Sequence, residues 1–251
     1  MKRILITSSF FLAITALTFW SFRAPSPEPI ASLTGAWQLA EVNGEAPEYQ
    51  QVALFSETYN MATAYDLTGK EFLGTNGGPF TYDGKTLSVQ LDFNSQDTAS
   101  VGQTVELSVS IQGDLATVQT GDNGAETQIW ERLDEAGTPL SGHWQISGRM
   151  RNGEMQAIQR DGGPRKTIKM LTGTRFQWTA MNTETGKFHG CGGGNYTFED
   201  GVYTENIEYF SRDNSRVGAS LAFEGKVKGD DWHHSGKSSK GKPISEIWTR
   251  Q

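Results

Sequence analysis

"LTGAWQL" at residues 33–39 returns as "LSGHWQI" at residues 140–146. The echo continues down the chain in the same order. "GGPFTYDG" (77–84) is answered by "GGNYTFEDG" (193–201), and "VGQTVELSVSIQGD" (101–114) by "VGASLAFEGKVKGD" (217–230). "IWER" (129–132) is answered by "IWTR" (247–250). The offset settles at 116 between Gly77/Gly193 and Gly113/Gly229. Ordered self-similarity of this kind is the mark of a tandem duplication. The copies occupy 32–133 and 139–251, with a hinge at 134–138.

Each copy reads as about eight short alternating segments separated by Gly, Asp and Asn turns. In the first copy Leu87, Val89, Leu91 and Phe93 alternate with polar residues, and so do Val105, Leu107, Val109 and Ile111. Side chains alternate across a strand, so such segments bury one face, as antiparallel strands commonly do. The fold class is all-β. The reading is two small antiparallel β-barrels in tandem, with two β-sandwiches as the alternative that the pattern leaves open.

Composition narrows the function classes. The chain has 251 residues, a formal net charge of −7 and 29 glycines. No basic stripe is present, so a nucleic-acid partner is not expected. The single cysteine, Cys191, excludes an internal disulfide. It falls in the glycine-rich "HGCGGG" (189–194), which reads as a turn carrying a partly exposed free thiol. A strand follows that loop where a phosphate cradle needs a helix N-terminus. At the N-terminus Lys2 and Arg3 precede an apolar run from Ile4 to Phe22, closed by Arg23. Residues 1–24 therefore read as a signal peptide or an uncleaved N-terminal anchor, and 25–31 as a stiff linker. Either reading places the folded part outside the cytoplasm, periplasmic or secreted. A membrane contact arises only through that segment.

"G-A-W" (35–37) and "G-H-W" (142–144) resemble the first-strand motif of the lipocalin and calycin superfamily. Arg132 and Arg250 resemble its late arginine, which packs over that tryptophan. The order "GGGNYTF", "YTENIEYF", "GDDWHHSG", "SEIWTR" in the second copy resembles an uncharacterised lipocalin-like family of secreted bacterial proteins, over about 110 residues. The resemblance implies a barrel fold and brings no established reaction with it.

The duplication supplies an internal control. Subtracting 116 pairs Tyr203, Glu205, Ile207 and Tyr209 with Leu87, Val89, Leu91 and Phe93. Glu205 thus takes an inward position that is valine in the first copy. A carboxylate there is costly unless paired or protonated. Gly225 replaces Val109, opening space or marking a bulge. Trp232 and His234 replace Ala116 and Val118, while His233 takes an outward position. An offset of 117, set by the "TGK" turns, pairs Phe176 and Trp178 with Tyr59 and Met61.

These substitutions point to a secreted small-molecule binding protein. Its partly polar pocket, in the second barrel, is lined by Trp178, Tyr203, Glu205, Tyr209, Trp232 and His234. The first copy is then a packed, degenerate partner. An acid–base enzyme (isomerase, lyase or hydrolase) using Glu205 and His234 as catalytic residues is the alternative. A structural envelope module with no ligand is another. A metal site has the least support, since no H-x-H, H-x-x-x-H or C-x-x-C spacing exists. No metal ligands and no cofactor are assigned.

Overall fold

The computed structural model describes residues 32–158, 163–238 and 240–251. The segments read above as signal or anchor and as linker, 1–24 and 25–31, lie outside the described residues.

The first copy forms nine strands: β1 Gly35–Val42, β2 Gln50–Phe55, β3 Tyr59–Asp66, β4 Glu71–Tyr82, β5 Thr86–Gln90, β6 Phe93–Asn94, β7 Thr104–Gln112, β8 Leu115–Thr120 and β9 Glu126–Asp134. The second forms β10 Gly142–Arg151, β11 Glu154–Ala157, β12 Arg165–Leu171, β13 Arg175–Asn182, β14 Phe188–Glu199, β15 Val202–Phe210, β16 Ser220–Lys228, β17 Asp231–Lys237 and β18 Pro243–Arg250. Every pairing is antiparallel. β9 returns to β1, and β18 returns to β10, so each copy closes on itself. The rings have eight strands each, with β6 added beside β4 and β11 beside β10. Closure decides for barrels over sandwiches, because it leaves no sheet edge in either ring.

The base of each barrel is closed in the same way. The Arg132 guanidinium lies 4.0 Å from the Trp37 ring centroid, and Arg250 lies 4.1 Å from that of Trp144. Arg132 donates to the carbonyls of Thr34 and Ser32, and Arg250 to those of Ser141 and Pro139. Both indoles donate to a carbonyl four residues upstream, Leu33 and Leu140, at 2.8 Å. The glycine before each tryptophan is required by the backbone. Gly35 has φ 118°, and a Cβ there would collide with the Asp134 carbonyl oxygen.

The two barrels share a third apolar core between them. Val52, Leu54, Tyr59, Met61 and Phe93 of the first meet Ile168, Met170, Met181, Cys191 and Tyr209 of the second. Tyr59 stacks on His143 at 4.2 Å, and Tyr65 packs tilted against Tyr209 at 4.8 Å. Gln177, fully buried, pins this interface. Its Oε1 accepts from Thr63 Oγ1 (2.6 Å) and Tyr209 Oη (3.1 Å). Its Nε2 donates to Thr75 and Thr179, both at 2.9 Å. Glu208 adds a second link, accepting from Tyr65 Oη and Arg175 Nη1 at 2.6 Å each. At the end of β9 the Asp134 carboxylate accepts from Thr172 and from the backbone of Gly173 and Thr174, fastening the junction to the second barrel.

A buried donor or acceptor stripped of its partner costs about 1–3 kcal/mol. Gln177→Leu strips several at once, so the expected loss of unfolding free energy is about 3 kcal/mol. Urea unfolding of the variant measures it; a loss under about 1 kcal/mol would show that the amide network contributes little to holding the barrels together.

Candidate functional site

The interior of the second barrel is built around a buried ion pair. Lys169 of β12 and Glu205 of β15 point inward and meet at 2.7 Å, with side chains only 4% and 6% exposed. The ammonium sits in an aromatic box, 5.1 Å from the Trp248 ring centroid, 5.3 Å from Tyr203 and Trp232, and 5.8 Å from Phe176. Cation–π attraction and the carboxylate together replace the water that Lys169 gives up. Tyr203 is the centre of the packing, with Phe176, Tyr196, Phe223, Trp232 and His234 around its ring.

His234 is buried with both ring nitrogens unpaired by hydrogen bonds. Its Nδ1 stands 3.8 Å from Glu246 Oε2, a charge contact beyond hydrogen-bond reach. Burial, with the nearby Lys169 ammonium, pulls the imidazole below its ordinary pKa, and the Glu246 and Glu205 carboxylates offset only part of this. Glu246 also accepts from Arg149 at 2.7 Å and from the Trp248 indole at 3.1 Å. Burial opposes its ionisation, but the His234 imidazole and the charges of Arg149 and Lys169 outweigh burial and bring it down to about 2.

The structure brings five of the six residues expected to line a pocket into the second barrel's interior. Tyr203, Glu205, Trp232 and His234 are buried there, and Trp178 is half-buried against Phe210. Tyr209 is elsewhere. Gly193 and Gly194 of β14 face Tyr209 and Ile207 of β15, which leaves Glu208 as an extra, bulged residue. The bulge reverses the alternation. Tyr209 therefore turns outward into the shared core, and Phe210 turns inward. The first copy does the same, with Leu91 inside and Phe93 in the shared core.

Two further expectations are corrected. Tyr59–Asp66 corresponds to Arg175–Asn182, an offset of 116 that Phe72 and Phe188 keep after the turn, so only the "TGK" letters are displaced by one. Phe176 and Trp178 thus replace Asn60 and Ala62, not Tyr59 and Met61. Cys191 lies within β14 and is fully buried, not in an exposed loop; burial pushes its thiol well above the ordinary range.

These corrections relocate the open space. The first barrel contains a partly open cavity of about 270 Å³, lined by side chains without formal charge. Its walls include Ala53, Asn60, Ala62, Val89, Ala116 and Val118. At the corresponding places the second barrel has Lys169, Phe176, Trp178, Glu205, Trp232 and His234. Those larger side chains pack against one another in the second interior, whereas the smaller ones leave the first open. The signal was in the sequence: three alanines at inward positions of the first copy. Reading substitutions only for what the second copy gained concealed what the first had kept empty. Among the described residues, no group of three His, Cys, Asp or Glu side chains is placed to hold a metal ion.

No family model and no curated protein matches the chain. Among solved structures it is similar to isotype 1 transferrin binding protein B from serogroup B Neisseria meningitidis, at 9% identity and a TM-score of 0.26, over 81% of this chain and 58% of that one. It is also similar to a mutant of transferrin binding protein B from Haemophilus parasuis, at 9% identity and a TM-score of 0.22, over 80% of this chain and 59% of that one. The chain thus spans less than two thirds of each of these neighbours.

Breaking a buried ion pair by removing one partner costs about 3–5 kcal/mol, whereas replacing both by apolar groups is often neutral. Lys169→Leu is expected to destabilise by that amount, and Lys169→Leu with Glu205→Val to recover most of it, since the first barrel folds with Ala53 and Val89 at these places. Urea unfolding of the single and double variants checks the recovery. Glu246 supplies a pH signature. With its folded pKa at about 2 against an ordinary 4.5, its stabilisation is complete above pH 4.5 and is lost as pH falls toward 2. The amount is roughly 3 kcal/mol. Glu246→Gln is expected to flatten that stretch of the stability–pH curve.

Proposed function

We propose that this protein binds a small, uncharged molecule in the cavity of its first barrel. The observation that supports this best is the pair of interiors. The same barrel, built twice in one chain, is filled in one copy and open in the other. The cavity of about 270 Å³ exceeds the ~150 Å³ that admits benzene, and so suits a ligand of about ten to fifteen non-hydrogen atoms. Its walls are mainly aliphatic with a few amides, the composition of small-ligand sites in general. Trp37 is part of the wall, and Arg132 packs on that indole without lining the cavity. Half-buried Gln51, Asn76 and Asn94 line the cavity too, and Gln51 and Asn76 have no side-chain hydrogen bond among the described residues.

On this reading the second barrel is the structural partner. Lys169 holds the Glu205 carboxylate, which favours a structural role for Glu205 and His234 over acid–base work. Residence outside the cytoplasm remains part of the proposal and rests on Lys2, Arg3 and the apolar run after them.

Ala62→Trp gives the first barrel the residue that the second has as Trp178, and should fill the cavity. Naphthalene, supplied by equilibrium dialysis, is expected to bind the natural chain, and its affinity to fall at least about tenfold in the variant. Equal binding by both proteins would overturn the assignment of the cavity.

A further inference from the structure

Asn60 is the one polar side chain of the cavity wall that is almost wholly buried, at 5% exposure. Its Oδ1 is shielded from solvent and has no hydrogen-bond partner. Buried amide oxygens in folded proteins are paired as a rule, so an orphan on a cavity wall calls for an explanation. The fold does not demand this one, since the second barrel closes with Phe176 at the same place. The other amides of the wall differ from it. Asn94 and Gln128 are engaged within the protein, Asn94 with Ser100 and Gln128 with Trp130 and Glu126. Gln51 and Asn76 are only half-buried and can be served by water.

From this we infer that Asn60 selects a neutral ligand carrying a hydrogen-bond donor, an O–H or N–H group, on an otherwise apolar frame. The inference rests on the cavity reading above and sharpens it to a chemical class: phenol-like, alcohol-like or indole-like molecules of the stated size. A donor group satisfies Oδ1 once the amide turns toward the cavity, while a plain hydrocarbon leaves it orphaned. A carboxylate or an ammonium is excluded for a separate reason. No wall residue carries a countercharge, so either ion would be desolvated unpaired.

The test uses four related compounds and equilibrium dialysis against the full chain. These are 2-naphthol (a donor), 2-methoxynaphthalene (an acceptor with no donor), naphthalene and the 2-naphthoate anion. The expected order has 2-naphthol tighter than naphthalene and 2-methoxynaphthalene by about tenfold or more, and 2-naphthoate weakest. In Asn60→Leu the 2-naphthol affinity should fall to that of naphthalene, while naphthalene binds as well or better. Far-UV circular dichroism reports whether that variant is folded, and the comparison on the natural chain stands without it. Binding of 2-naphthol no tighter than naphthalene, or equalled by 2-methoxynaphthalene, would overturn the role of Asn60 and leave the cavity standing, provided Ala62→Trp still abolishes binding. Failure of all four compounds to bind would overturn the cavity and the inference together.

Discussion

Four strands in this molecule are buried on both faces, and the architecture depends on that constraint. From Val52 to Phe55 in β2, and from Ile168 to Leu171 in β12, no residue reaches solvent appreciably. Their neighbours β3 and β13 are nearly the same. One face of each strand supports its own barrel, and the other supports the core shared by both. An ordinary antiparallel barrel shows a polar exterior there. Here the exterior is spent on a partner, so the two copies form a single packed unit with three apolar cores. Gln177 and its hydroxyl neighbours lie in the shared one, where a fully satisfied amide fixes how the two faces meet.

Against that common frame the two interiors have diverged in opposite directions. Small side chains keep the first open, while large, aromatic and charged ones close the second. The second interior contains a lysine and a glutamate where the first has alanine and valine. Replacing apolar residues by a buried ion pair seldom gains stability by itself. The aromatic box changes the balance, because four rings face the ammonium and the carboxylate is within hydrogen-bond distance.

Much of this was legible in the residues. The repeat, its offset, the all-strand class and the tryptophan–arginine pairs all follow from quoted motifs, and the structure places Arg132 over Trp37 and Arg250 over Trp144. Alternation also put Glu205, Trp232 and His234 inside correctly. It failed at Tyr209, because a bulge at Glu208 shifts the parity by one and leaves no mark on an alternating sequence. It failed again at Phe176 and Trp178, where the "TGK" letters sit one residue apart within turns of equal length and so suggest a false offset for the strand. Cys191 was misread because four glycines nearby suggest a turn. In β14 they allow close approach instead: a Cβ at Gly193 would strike the Tyr209 ring. The cavity was missed because absent volume has no motif, and shows only when two copies are compared position by position.

Lys169 behaves toward the second barrel as a ligand that never leaves. It is covalently attached, so its local concentration is fixed by the chain and cannot be diluted. The first barrel has no such resident; if it binds a small molecule as proposed, its contribution to folding rises with the free concentration of that molecule, by mass action. Because the two share a core, a molecule bound in one barrel would raise the resistance of both to unfolding. Supply of that molecule would thereby be registered as the lifetime of the entire chain.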